Sequence, residues 1–247
     1  MASGSSGNCA IIDGIIAIDV GVPPTCVVEY VFLTHHHTDH TKHLDKVRNA
    51  QLFCLHETAE KLYAKNPYIT PNCIIPGRAV PIFVPQDGVT ADAEYTVLPI
   101  NVKHDAPCVG FDISKQIYGG EVERILFTTD FNSIVDEMSV VRALREKRYD
   151  EVYIECNNTI CYDDLIDVYF PADGEKPPKD EFHRRRSYEN HCNVGYLISL
   201  FERAGYSEQN RFTEPVTLLH KSSFYYHQNV ERIVDLCKIA NIRNPFA

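Results

Sequence analysis

Two apolar runs, 9–12 and 15–18, flank an Asp13-Gly14 pair in "NCAIIDGIIAIDVG". That pair tolerates the positive backbone angles of a tight type I′ turn, so the chain is expected to open as a β-hairpin. "VVEYVFLT" (27–34) is rich in β-branched and aromatic residues and reads as a strand that ends where a run of histidines begins. By the same signal, strands are expected at "QLFCL" (51–55), "CIIP" (73–76), "PIFVP" (81–85), "YTVLPINV" (95–102), "CVGFDIS" (108–114), "RILFTTD" (124–130), "EVYIEC" (151–156) and "VTLLH" (216–220). Helical periodicity falls at "ETAEKLYAKN" (57–66), "EMSVVRALREK" (137–147), "NVGYLISLFERAG" (193–205) and "NVERIVDLCKIA" (229–240), the last with Asn229 as its N-cap. Strands dominate the first half, and strand and helix alternate in the second. "PADGEKPPKDEFHRRRSYEN" (171–190) has no apolar period and reads as a long loop. No repeat or linker divides the rest, so residues 1–247 are expected to form a single domain around one core.

Composition narrows the setting. Nine cysteines include no C-x-x-C pair, and the first residues carry no basic start followed by an unbroken apolar stretch. Reduced thiols and a cytoplasmic location are the expectation. Even "CAIIDGIIAIDVGV" is interrupted by Asp13 and Asp19, so no membrane span is expected. The formal charge of −10 works against a broad groove for long nucleic acid and favours a small anionic substrate. "HRRR" (183–186) is a local exception.

The chemistry gathers in "VFLTHHHTDHTKHL" (31–44). In an extended segment alternate side chains share a face, which puts His35, His37 and Asp39 on one side and His36 on the other, with His40 following at a turn. The result is H-x-H-x-D-H, with His36 and His43 as spectators. A surface His-rich stretch is the plain alternative, but these residues lie behind a strand and are interrupted by Thr and Asp. Imidazole suits zinc and similar ions, and four such ligands exceed what one metal requires. Further ligands are expected at later strand ends, where His104, Asp130 and His220 stand. Asp105, next to a ligand, is read equally well as its orienting partner or as a turn residue.

H-x-H-x-D-H followed by a distant His, Asp and His resembles the metallo-β-lactamase-fold hydrolases, and "SGSSGNCAII" with "IDVG" resembles their opening hairpin. The resemblance implies an α+β fold, the αβ/βα four-layer sandwich with two central sheets and outer helices. It also implies two divalent metal ions, zinc first, with manganese or iron as alternatives. His35, His37 and His104 would hold one ion, Asp39, His40 and His220 the other, and Asp130 would bridge both. An Asp at the bridging position resembles the phosphodiesterase and thioesterase branches. In tRNase Z-like enzymes a strand-end Glu pairs with a later His as proton donor; "YIECNN" and "ENHCN" place Glu155 and His191 there, with Cys156 and Asn190 departing from that pattern. Asp39, Asp130, Glu155 and His191 are then the catalytic set. The residues alone leave Glu155 equally readable as a buried acceptor for a backbone N–H, and His191 as a helix cap. Cys192 is read as packing.

The compact chain has no room for the extra modules of the larger nucleases. It resembles small exonuclease-like members and the phage anti-Pycsar phosphodiesterases. The resemblance implies hydrolysis of small cyclic mononucleotides, such as cyclic CMP and UMP and also cyclic AMP and GMP, by a homodimer in the host cytoplasm. Phe182, His183 and the arginine run are candidates for base stacking and phosphate contact. A tRNase Z-like or exonuclease-like nuclease acting on DNA or RNA is the first alternative, and a catalytically silent metal- or ligand-binding module the second.

Overall fold

The computed structural model describes residues 7–84, 95–116, 120, 122–160 and 179–246. Two sheets face one another. The first has β1 (Ala10–Ile12), β2 (Ile16–Ile18), β3 (Tyr30–Phe32), β4 (Gln51–Cys54) and β5 (Asn72–Cys73) in that order, antiparallel between β1 and β2 and parallel thereafter. The second contains β6 (Val80–Ile82), β7 (Tyr95–Lys103), β8 (Cys108–Gln116), β9 (Val122–Thr128), β10 (Ser133–Ile134), β11 (Glu151–Glu155), β12 (Phe212–Leu219) and β13 (Ala240–Arg243). Its order is β10-β7-β8-β9-β11-β12-β13, with β6 also on β7. β7, β8 and β9 form an antiparallel meander, and β9, β11, β12 and β13 run parallel.

The period of two in the sequence sorts residues between layers. Ile16 and Ile18 of β2 and Tyr30 and Phe32 of β3 face the second sheet and pack with Val97, Phe111, Ile113 and Phe127. The intervening Ala17 and Val31 turn outward, with Leu33 just beyond β3, to a cluster that includes Leu62 of a helix. On the other side Leu126, Val152, Ile154 and Val216 meet Val140, Val141, Leu144, Leu197, Leu200, Phe201, Ile233 and Leu236 from helices. The layers are therefore helix, sheet, sheet, helix, as expected for the αβ/βα sandwich. Phe32 joins the sheets, stacked on Phe53 at 4.7 Å and edge-on to Phe111 at 5.7 Å.

The helices are α1 (Thr38–Thr41), α2 (His56–Lys65), α3 (Glu137–Arg145), α4 (Lys179–Asn190), α5 (Val194–Arg203) and α6 (Val230–Ile239). Several differ from the sequence expectation. α4 occupies 179–190, where a loop is expected; the rest of that stretch, 171–178, lies outside the described residues. Its lack of apolar period is that of a helix with little buried face, built from good helix formers and an Arg185–Glu189 pair at 2.6 Å. Asn229 makes no side-chain cap bond; its own N–H donates to Thr159 Oγ1 at 3.0 Å. Asn193 does cap, accepting from the Tyr196 N–H at 2.9 Å. β13, too short to carry a period, went unread.

The Asp13-Gly14 turn has both residues at positive φ, 50° and 72°, as the hairpin reading requires. The cysteines of the described residues are free thiols, Cys192 among the buried core residues. Among the described residues no helix is long and apolar enough to cross a membrane.

Candidate metal centre

β2, β3, β7, β9, β11 and β12 all deliver polar residues just past their C-terminal ends, the edge where parallel strands aim side chains into one crevice. Three of these, Asp19, Asp130 and His220, adopt positive φ of 59°, 50° and 50°. A left-handed conformation in non-glycine residues is strained, and it clusters here because the chain must break off each strand abruptly while keeping the side chain inward.

The H-x-H-x-D-H segment is not extended throughout. β3 stops at Phe32, because Asp19 Oδ1 takes the Thr34 N–H at 2.9 Å in place of a strand neighbour, and α1 begins at Thr38. Asp39 and His40 are thus set by a helical turn rather than by strand alternation. His40 is fully buried; its Nδ1 meets Asp19 Oδ2 at 2.7 Å and its Nε2 meets Asp130 Oδ2 at 2.6 Å. Asp130 Oδ1 lies 2.7 Å from His220 Nδ1. One carboxylate therefore touches an imidazole with each oxygen. Asp39 stands at the rim, its Oδ2 3.6 Å from His40 Nε2 and 3.5 Å from Asn8 Nδ2.

His35, His37 and His104 converge from the other side, with ring centroids 4.5 to 5.4 Å apart. His104 Nδ1 faces the Asn190 carbonyl at 3.1 Å, and a carbonyl only accepts, so Nδ1 carries the proton and Nε2 the lone pair. Potential ligand atoms fall within 4.8 Å of one another in three overlapping groups: His35, His37 and His104; His35, His40 and Asp130; and Asp130, Glu155, His191 and His220.

Glu155, wholly buried, organises the last group. Its Oε2 accepts the Phe131 N–H at 2.6 Å, while Oε1 meets His191 Nδ1 and His220 Nδ1, each at 2.8 Å. Glu155 thus both accepts a backbone N–H and pairs with His191. His36 and His43 are half-buried and belong to none of these groups, although the His36 ring lies 5.2 Å from that of His37. Asp105 does approach its neighbour, with Oδ1 3.0 Å from His104 Nε2 and 3.6 Å from His37 Nε2.

Sequence reasoning missed Asp19, Asn8 and Asn157. Asn8 Nδ2 lies 2.8 Å from His40 Nε2, and Asn157 Nδ2 donates to the His220 carbonyl at 2.9 Å. The signals were present: Asp19 and Asn8 sit in the quoted opening segments, and Asn157 stands two residues past the Glu155 strand end.

The titration pattern explains how so many ionisable groups share a dry site. Burial, then the charge of His40, pushes His35 well below the ordinary histidine value, and burial lowers His104. Both are neutral donors. Burial also opposes charge on His40 and His220, but there the carboxylates win. Asp19 and Asp130 raise His40 to about 10, and Asp130 and Glu155 raise His220 well above the ordinary value. Asp130 is held well below the usual carboxylate range by His220 and His40 against its burial.

These residues fit divalent cations. His35 Nε2 and His104 Nε2 are buried without a hydrogen-bond partner, since the Asp105 oxygen 3.0 Å from His104 Nε2 meets a lone pair that cannot donate to it, an arrangement that costs about 1–3 kcal/mol each unless a cation takes the lone pair. On the Asp130 side, protons on His40 and His220 balance carboxylates that a metal would balance instead. The metal-free protein thus binds more protons than the loaded one, and affinity must rise with pH. Zinc titrations in buffers of different ionisation enthalpy should show proton release at neutral pH, with binding tightening from pH 6 to 9. A pH-independent affinity would contradict this pattern.

Backbone packing beneath the cluster leaves no slack. Gly21 donates to the Asn8 carbonyl at 2.8 Å, and Asn8 N–H donates to the Asp39 carbonyl at 2.8 Å. A Cβ at Gly21 would overlap the Asp39 carbonyl. Gly21→Ala should therefore cost at least the roughly 1–3 kcal/mol of overpacking and lower the thermal midpoint together with metal content. An unchanged midpoint would show that the segment yields.

The family model described as "Beta-lactamase superfamily domain" matches residues 23–153. The chain belongs to the beta-lactamase superfamily. The matched span holds His35, His37, Asp39, His40, His104 and Asp130, while Glu155, His191 and His220 lie beyond it. Among solved structures, the metallo-β-lactamase-fold protein YhfI from Bacillus subtilis is similar at a TM-score of 0.56 and 13% identity, covering 97% of this chain and 89% of that one. The metallo-β-lactamase MIM-1 from Novosphingobium pentaromativorans matches at a TM-score of 0.37 and 11% identity, over 59% of this chain and 67% of that one, too loosely to carry an argument. No curated protein matches the sequence. For a beta-lactamase superfamily member with this fold and this His/Asp cluster, metal-dependent hydrolysis is the chemistry supported.

Proposed function

We propose that the protein is a dinuclear-metal phosphodiesterase that opens small cyclic mononucleotides, cyclic CMP and UMP foremost and cyclic AMP and GMP also, to linear monophosphates, in the service of phage counter-defence. The observation that carries this reading is the Glu155–His191 pair at 2.8 Å, sharing its carboxylate oxygen with His220 and so abutting the Asp130 group. Breaking a phosphodiester expels an alkoxide, which needs a proton, whereas the thiolate of a thioester departs without one.

His35, His37 and His104 would hold one ion, Asp39, His40 and His220 the other, with Asp130 between them. When bound, two divalent cations supply Lewis acidity, lowering the pKa of a water and offsetting charge on phosphoryl oxygens. The remaining work falls to the chain. Asp19 keeps a proton on His40 Nδ1 and so aims Nε2 inward; the Asn190 carbonyl does the same for His104. Burial resists charge on His191, but the Glu155 carboxylate outweighs it and raises the imidazole above its ordinary value, which favours the protonated form. With Nδ1 engaged by Glu155, the proton His191 can deliver is the one on Nε2.

The net charge of −10 supports a small substrate over a polymer. The test is incubation of metal-loaded protein with cyclic CMP, UMP and AMP beside single-stranded DNA and RNA. Linear monophosphates are the expected products. Cleavage of the polymers alone would replace this reading with the nuclease one, and no cleavage with bound metal would favour a silent binding module.

A further inference from the structure

Resting on the phosphodiesterase reading, we propose that Arg186 is the cation that grips the substrate's phosphodiester group. The run "HRRR" offers three arginines, and the structure separates them. Arg185 is engaged along the helix with Glu189, Nε to Oε1 at 2.6 Å, and Arg184 is half-buried. Arg186 alone of the three reaches the metal-facing carboxylate Asp105, Nη2 to Oδ2 at 3.5 Å, and its side chain is 58% exposed. The other oxygen of the same carboxylate lies 3.0 Å from His104 Nε2 and 3.6 Å from His37 Nε2. The guanidinium is thus separated from the imidazole group by the width of one carboxylate.

Its base is fixed although its tip is not. The last turn of α4 is tied to the strand ends by three side chains: Asn158 Nδ2 donates to the Ser187 carbonyl at 3.2 Å, Asn132 Nδ2 to the Tyr188 carbonyl at 3.0 Å, and His104 Nδ1 to the Asn190 carbonyl at 3.1 Å. The helix is therefore registered against a candidate metal ligand, and Arg186 projects from the turn so held. A long, half-solvated ion pair such as Arg186–Asp105 contributes little stability, so exchanging Asp105 for a phosphate oxygen costs little. Guanidinium offers a planar fork that matches two phosphate oxygens at once, where an ammonium offers a point charge. An anionic substrate approaching Asp39 and Asp105 on an acidic protein needs such a counter-charge.

The probe is inorganic phosphate, titrated calorimetrically into the metal-loaded full chain, beside steady-state hydrolysis of a phosphodiester. Arg186→Ala should weaken phosphate binding about tenfold or more and raise KM by a similar factor, with kcat and metal content nearly unchanged. Arg186→Lys should recover part of the loss, and Arg185→Ala should match the parent. Phosphate affinity and KM unchanged in Arg186→Ala would overturn the inference while leaving the phosphodiesterase reading intact, as would a parent protein that cleaves diesters but binds no phosphate. A parent that binds phosphate through Arg186 yet cleaves no diester would sink the activity and keep the grip.

Discussion

Asp130→Ala is expected to reduce turnover by on the order of 10³-fold or more, because Asp130 belongs to two of the three overlapping ligand groups and meets a different histidine with each carboxylate oxygen. Its Oδ2 meets His40 and its Oδ1 meets His220 from a position 2% exposed. Removing it leaves two imidazoles that depend on it for charge balance, so the loss reaches beyond one ligand. Metal content should fall below that of the parent, and the metal-free variant should unfold at lower temperature. Deleting one partner of a buried ion pair typically costs about 3–5 kcal/mol. Retained activity with full metal content would remove Asp130 from the centre.

His191→Ala tests a different step. A general acid contributes typically 10²–10⁴-fold where the leaving group is a poor one. The variant should lose about that much on ribose-derived leaving groups, yet little on p-nitrophenyl phosphodiesters, whose leaving group departs without a proton. His191 is held by Glu155 rather than by Asp130, so metal content should stay at the parental value. Equal losses on both substrates would assign His191 to binding or to structure.

Much of this site was legible because its residues follow apolar runs. His35, His104, Asp130, Glu155 and His220 each stand at the end of a strand or within three residues of it, and the topology then brings those ends to one edge. What stayed hidden has a common cause. Asp19 and Asn8 act through long-range contacts with His40, and nothing local distinguishes a carboxylate that orients a histidine from one that caps a turn. Asp39 was placed by strand parity through a segment that α1 turns helical, and it stands at the rim, outside the three ligand groups. The α4 helix escaped because its stability comes from polar ties at its C-terminal carbonyls, not from an apolar stripe that a periodicity can detect.

Elemental analysis of the purified protein, equilibrated with zinc and freed of loose ions, addresses the central claim most directly. Cations held between the His35–His37–His104 group and the Asp130 group predict about two ions per chain. A stoichiometry near zero would contradict the account.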